Sequence, residues 1–124
     1  MESRISTGDY IFTMYDGNEK IIMSGTMTVS NIVNMEISGT YNITNLVDKN
    51  FEALGVMEGK FKGTMEKNTS AVFINTNPMI ADANVFFNLR YNYVEAKFVG
   101  EWRYSVFRRD AEPLKGRVTL VRQS

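Results

Sequence analysis

The chain has 124 residues, 44% of them hydrophobic and 23% charged, with 14 basic side chains balancing 14 acidic ones. This is the composition of one globular domain, spanning residues 1–124, and not of a disordered, collagen-like or coiled-coil chain. Cysteine and histidine are both absent, which excludes disulfides, thiolate metal sites, cysteine nucleophiles, the Ser-His-Asp triad and His-ligated zinc or haem.

The chain reads as strands, because the dominant hydrophobic period is two. Residues 10–15 form the first. Asp16-Gly17-Asn18 is a hairpin turn, since Gly and Asn accept positive φ cheaply. In 21–29, Ile21, Met23, Gly25, Met27 and Val29 face in, and Ile22, Ser24, Thr26 and Thr28 face out. Ser30-Asn31 supplies the next turn. In 33–43, Val33, Met35, Ile37, Gly39, Tyr41 and Ile43 alternate with polar residues.

A short helix is expected over 45–54, where Val47, Phe51 and Leu54 share one helical face. The next strand occupies 55–66, with Met57, Gly59, Phe61, Gly63 and Met65 inward and charged residues outward. Lys67-Asn68-Thr69 turns the chain into a strand at 71–76. Asn77-Pro78 is an N-cap followed by a first-turn proline and predicts a second short helix, ending near Asp82. Strands follow at 85–91 and 96–107, the second with Ala96, Phe98, Gly100, Trp102, Tyr104 and Val106 inward. Residues 110–113 open a loop, and 116–122 close the chain.

About eight sequential antiparallel strands, each with one wet face, must also hide two edges. The expected fold is all-β: a single up-and-down antiparallel β-barrel with one or two short helical turns. A barrel is favoured over a sandwich because Gly25, Gly39, Gly59, Gly63 and Gly100 all lie on the apolar face. There they let a strand coil tightly or make room for a neighbouring aromatic ring. The eight-strand meander, its inward glycines, Gly100-Glu101-Trp102 and the apolar closing strand ending in Arg122 resemble the calycin group of lipocalin-like and avidin-like barrels. The resemblance spans most of the chain. It departs at the first strand, where Asp9-Tyr10-Ile11-Phe12 stands in place of the lipocalin Gly-x-Trp. It also departs at Trp102, the single tryptophan, where avidins carry a ring of them. Biotin binding is therefore not implied, and no binding residue carries over by motif.

The inward face offers one candidate site. Met23, Met35, Tyr41, Met57, Phe61, Phe87, Tyr91, Trp102 and Tyr104 would line a barrel interior. Methionine is polarizable and adapts to irregular shapes, and an eight-stranded barrel is just wide enough for a small molecule. The same residues could simply fill the core. The first functional expectation is a small binding module holding an apolar or amphipathic ligand. The alternative is a protein–protein or inhibitor module, or a self-associating one, using the barrel as scaffold. A third is a metal-free isomerase or cyclase. Residue types argue against an enzyme and no catalytic residue is assigned: Glu36, Glu58, Glu66 and Glu101 point to the wet face, and Asp82, Glu95 and Asp110 are isolated near strand ends.

No metal or cofactor is expected. Asp16-Gly17-Asn18-Glu19 lacks the spaced ligands of a calcium loop, and Gly59-Lys60-Phe61-Lys62-Gly63 is strand rather than phosphate loop. Nucleic acid is not expected either. Arg90-Tyr91-Asn92-Tyr93 and Trp102-Arg103-Tyr104 interleave aromatic and basic groups, but alternation sends them to opposite faces, and there is no basic excess. Charge is nonetheless uneven. Residues 1–66 carry five basic and nine acidic groups, and 67–124 carry nine and five. Arg103, Arg108, Arg109, Arg117 and Arg122 are thus a candidate patch for an anionic partner, against a simple solubilising role. No apolar run approaches a bilayer span. The start has no apolar leader core, so the sequence as it stands reads as cytoplasmic, or as extracytoplasmic if a leader has been removed. Asn42-Ile43-Thr44 and Asn68-Thr69-Ser70 match the glycosylation pattern by chance as readily as by design.

Overall fold

The computed structural model describes residues 5–48, 58–76, 84–105 and 115–123. Eight strands run in sequence order: β1 Gly8–Tyr15, β2 Ile21–Val33, β3 Glu36–Leu46, β4 Glu58–Met65, β5 Val72–Asn75, β6 Asn84–Asn92, β7 Lys97–Ser105 and β8 Lys115–Arg122. Each pairs antiparallel with the next, and β1 pairs with β8 from Tyr10↔Arg122 to Met14↔Val118. The sheet is a closed up-and-down barrel, so among these strands the first and last leave no edge to template aggregation. No helix of the described residues is long and apolar enough to cross a membrane.

The barrel has two unlike ends. At the hairpin end lie residues 5–7, the finish of β8 and the tight connections β2–β3, β4–β5 and β6–β7. At the loop end lie the Asp16–Lys20 turn and the last residues of β3, β5 and β7.

Alternation places the core as the sequence implies. Trp102, Tyr10, Phe61 and Phe87 are the bulkiest fully buried side chains, packed among Ile22, Met27, Ile37, Ile74, Leu89 and Leu120. The inward glycines follow two logics. A Cβ on Gly100 would sit 1.7 Å from the Asn88 carbonyl oxygen of β6, so only glycine lets β7 coil that closely. At Gly59 a Cβ would instead press on the Tyr41 ring at 3.0–3.1 Å. That glycine makes room for its direct cross-strand partner.

Several turns differ from the sequence expectation, each for a local reason. The β2–β3 turn is Asn34-Met35, not Ser30-Asn31. Both residues have positive φ, 51° and 68°, as a two-residue type I′ hairpin requires. The Met35 carbonyl is tied down by the Met65 N–H at 2.9 Å. Ser30 instead falls where the β2–β3 register shifts between Val29 and Asn31. Such a bulge resets the alternation, so Val33, expected inward, is exposed. A second shift, between Met14 and Tyr15, passes from Met23 to Ile21 on β2. Ile22 and Met23 are therefore both buried, whereas Ile21 is exposed, the reverse of the expected Ile21/Ile22 assignment.

In the Asp16–Lys20 turn the positive φ belongs to Glu19, not to Gly17 or Asn18. The Asp16 carboxylate accepts from the N–H groups of Asn18 (2.8 Å) and Lys20 (3.0 Å) and holds the loop. Ala96 lies in the β6–β7 turn with φ 54° and not in β7. Asn45 and Leu46, the first residues of the expected helix, are the end of β3. Residues 49–54 and the expected helix at 77–82 lie outside the described residues.

Candidate functional site

The hairpin end is plugged by a polar lock. The Arg122 guanidinium donates to the Ser6 hydroxyl, to the Tyr10 hydroxyl (3.2 Å) and to the Thr7 carbonyl (3.0 Å). It also lies over the Tyr10 ring, 5.6 Å from the centroid, where the ring quadrupole attracts a cation. The Tyr10 hydroxyl in turn accepts from the Ser6 N–H at 3.0 Å. Gly8 permits this arrangement: its φ is +133°, and a Cβ there would lie 2.9 Å from the guanidinium. Beneath the lock, Tyr10, Phe98, Tyr91 and Tyr93 form a chain of edge-to-face rings, with centroids 6.5, 5.1 and 5.0 Å apart.

The loop-end half is different. Phe12 and Met14 of β1, Met23 and Met27 of β2, Tyr41 and Ile43 of β3, Thr76, and Val85 and Phe87 of β6 line a void of about 20 Å³. That is room for one water molecule, far below the roughly 300 Å³ at which pockets for drug-sized ligands begin. The void is bounded almost wholly by apolar groups. Thr76 is internally satisfied, its hydroxyl donating to the Val85 carbonyl at 2.9 Å. The Tyr41 hydroxyl makes no hydrogen bond among the described residues. Burial pushes it above its ordinary value of 10.0, because a phenolate would lose its hydration. Among the described residues no carboxylate lines the void.

Three of the residues expected to line a ligand site, Met23, Tyr41 and Phe87, meet at this void. Phe61 and Trp102 are buried core. Trp102 neighbours the site, since it pairs with Phe87 across β6–β7, and its indole N–H donates to the Tyr15 carbonyl at 2.6 Å. Tyr104 is partly buried against the core. Met35 and Tyr91 lie at the hairpin end, away from the void, and Met57 lies outside the described residues. The candidate lining left out Phe12, Met14, Met27, Ile43, Thr76 and Val85, although alternation placed Met27 and Ile43 on the inward face. Phe12 and Met14 were detectable from the alternation Tyr10-x-Phe12-x-Met14. Thr76 carries no such signal.

The expected arginine patch does not assemble from its described members. Arg117 pairs with Glu19 at 2.8 Å and lies 4.2 Å over the Tyr15 ring. Arg103 pairs with Glu101 at 3.5 Å, and Arg122 belongs to the lock at the opposite end. Arg108 and Arg109 lie outside the described residues. Glu36, Glu58, Glu66 and Glu101 are exposed, as their registers imply. Among the described residues no group of three acidic side chains could hold a metal ion.

Compared with known protein families, curated proteins and solved structures, the chain matches none.

Proposed function

We propose that this chain is a lipocalin-like binding module. It takes a small amphipathic ligand into the loop-end half of the barrel, with the Tyr41 hydroxyl pairing with the ligand's one polar group. What supports this reading is the Tyr41 hydroxyl, which makes no hydrogen bond among the described residues and stands on a void lined otherwise by Thr76 and apolar side chains. A ligand acceptor would give it a partner. The void is small, but Met14, Met23 and Met27 form much of its wall. Their three rotatable bonds let them repack around an entering molecule at low cost.

The test is a titration with the apolar dye 1-anilinonaphthalene-8-sulfonate, read by energy transfer from Trp102, which adjoins the void. The reading expects saturation at one dye per chain and a fewfold to about tenfold weaker binding in Tyr41→Phe, the value of one hydrogen bond. Absence of transfer, or binding indifferent to both Tyr41→Phe and Met27→Phe, would contradict it.

A further inference from the structure

The most exposed apolar side chains gather at the hairpin end. Val94, Tyr93 and Val33 stand 95%, 62% and 61% exposed, the three highest values for a large hydrophobic among the described residues. Tyr93 and Val94 lie in the β6–β7 turn, and Val33 ends β2 beside the β2–β3 turn. In the closed strand order two strands separate these hairpins on either side, so they stand across the mouth from each other. For eight tilted strands that distance is roughly 15 Å. Both tips are held in place. The Asn92 side-chain oxygen accepts from the N–H groups of Val94 (2.9 Å) and Glu95 (3.0 Å). Ala96 closes that turn at positive φ, and the Tyr93 ring packs edge to face on Tyr91. Across the mouth, the Met65 N–H ties the Asn34-Met35 turn to β4.

We propose that the hairpin end seats on a zwitterionic lipid bilayer, with Val94 and Val33 below the headgroups and Tyr93 at their level. The separation of the tips argues for lipid over protein. The side chains that anchor a protein interface cluster at its centre, whereas these stand apart, with polar and charged residues of the β4–β5 turn between them. A fluid surface admits two separate convex tips at once. Tyrosine suits the boundary, with an apolar ring and a hydroxyl that stays wet. Charge selects the headgroup. Among the described residues this end carries Asp9, Glu36, Glu66 and Glu95 against Lys67, Arg90, Lys97 and Arg122. The signs balance, so an anionic surface gains nothing here, while a zwitterionic headgroup offers each sign its opposite. The fixed turns enter without first being ordered. Three side chains bury less than one myristoyl chain, whose affinity is roughly 10⁴ M⁻¹, so half-binding falls in the millimolar lipid range.

Flotation of the full chain with phosphatidylcholine vesicles decides this. The bound fraction should rise with lipid up to about 10 mM. It should change less than about twofold when salt rises tenfold or when phosphatidylserine is added. Val94→Asp and, independently, Val33→Asp should each weaken binding at least about fivefold, while keeping the parent Trp102 emission that reports a folded barrel. Ile21→Asp, at an exposed apolar position of the opposite end, should leave binding unchanged. Brominated phosphatidylcholine should quench the added indole of Tyr93→Trp and spare the buried Trp102 of the parent. No flotation at about 10 mM lipid would overturn the proposal and leave the tips to a protein partner. So would binding that requires phosphatidylserine, that survives both aspartate variants, or that is lost in Ile21→Asp alone.

Discussion

The two ends of this barrel solve the same problem in opposite ways. Both must close the mouth of a sheet rolled on itself. The hairpin end uses tight turns and a guanidinium fixed by Ser6, Thr7 and Tyr10, with its rings stacked edge to face. The loop-end half packs flexible thioethers around a void, on which the Tyr41 hydroxyl makes no hydrogen bond among the described residues. Specific polar geometry makes one end rigid. Soft apolar packing makes the other adaptable. The proposed binding site lies at the end where three methionines wall one void.

Substitutions that touch one end and spare the other put this contrast at risk. The largest effect is expected at the void. Met27→Ala should cost about 2–5 kcal/mol, the usual range for a buried Met truncation, in urea unfolding. The enlarged cavity should at the same time bind the dye more tightly. If affinity falls instead, the void is not the seat of the ligand. Next comes the wall itself. Gly100→Ala would drive a Cβ to 1.7 Å from the Asn88 carbonyl and should cost about 1–3 kcal/mol through overpacking.

At the hairpin end, Arg122→Gln should remove about 1–2 kcal/mol, since charged hydrogen bonds are lost but the group is exposed. Its dye affinity should stay at the parent value. A change there of more than about twofold would mean that the two ends are coupled. The smallest effect belongs to Tyr41→Phe, within about 0.5 kcal/mol at neutral pH because no internal bond is lost. Its signature is alkaline. The native Tyr41 hydroxyl titrates above 10.0, so above pH 10 the unfolded chain sheds this proton while the native one keeps it. The unfolded state then binds fewer protons, and stability falls as pH rises. Below pH 10 both states are protonated and nothing changes. The phenylalanine variant should therefore lose less stability than the parent between neutral pH and pH 11.

The fold was largely legible because antiparallel strands with one wet face write their period directly into the sequence. Gly59 to Met65, where Gly59, Phe61, Gly63 and Met65 alternate with Lys60, Lys62 and Thr64, is the clearest stretch. What misled was local. Ser30-Asn31 has turn composition, but a bulge absorbs it, and the true turn at Asn34-Met35 puts a methionine at positive φ, which no propensity suggests. Ile22 was misassigned because a bulge inverts alternation, and the pattern of one strand does not register its partner's shift.

The site was legible by type and only partly by place. Period two assigns Met23, Tyr41 and Phe87 to the interior. It does not say at which height along the axis each sits, so Met35 and Tyr91 of the opposite end were indistinguishable from them. The Arg122 lock joins residues more than a hundred positions apart. It depends on a glycine whose need for positive φ becomes visible only when both strands are placed.

The central claim is that the loop-end half alone yields to a ligand. Methyl resonances of the methionines, followed by NMR during titration with 1-anilinonaphthalene-8-sulfonate, test it most directly. The account predicts that Met14, Met23 and Met27 shift together at one dye per chain while Met35 and Met65 stay in place. Movement of Met35 and Met65, or saturable binding that leaves the three void methionines unmoved, would contradict it.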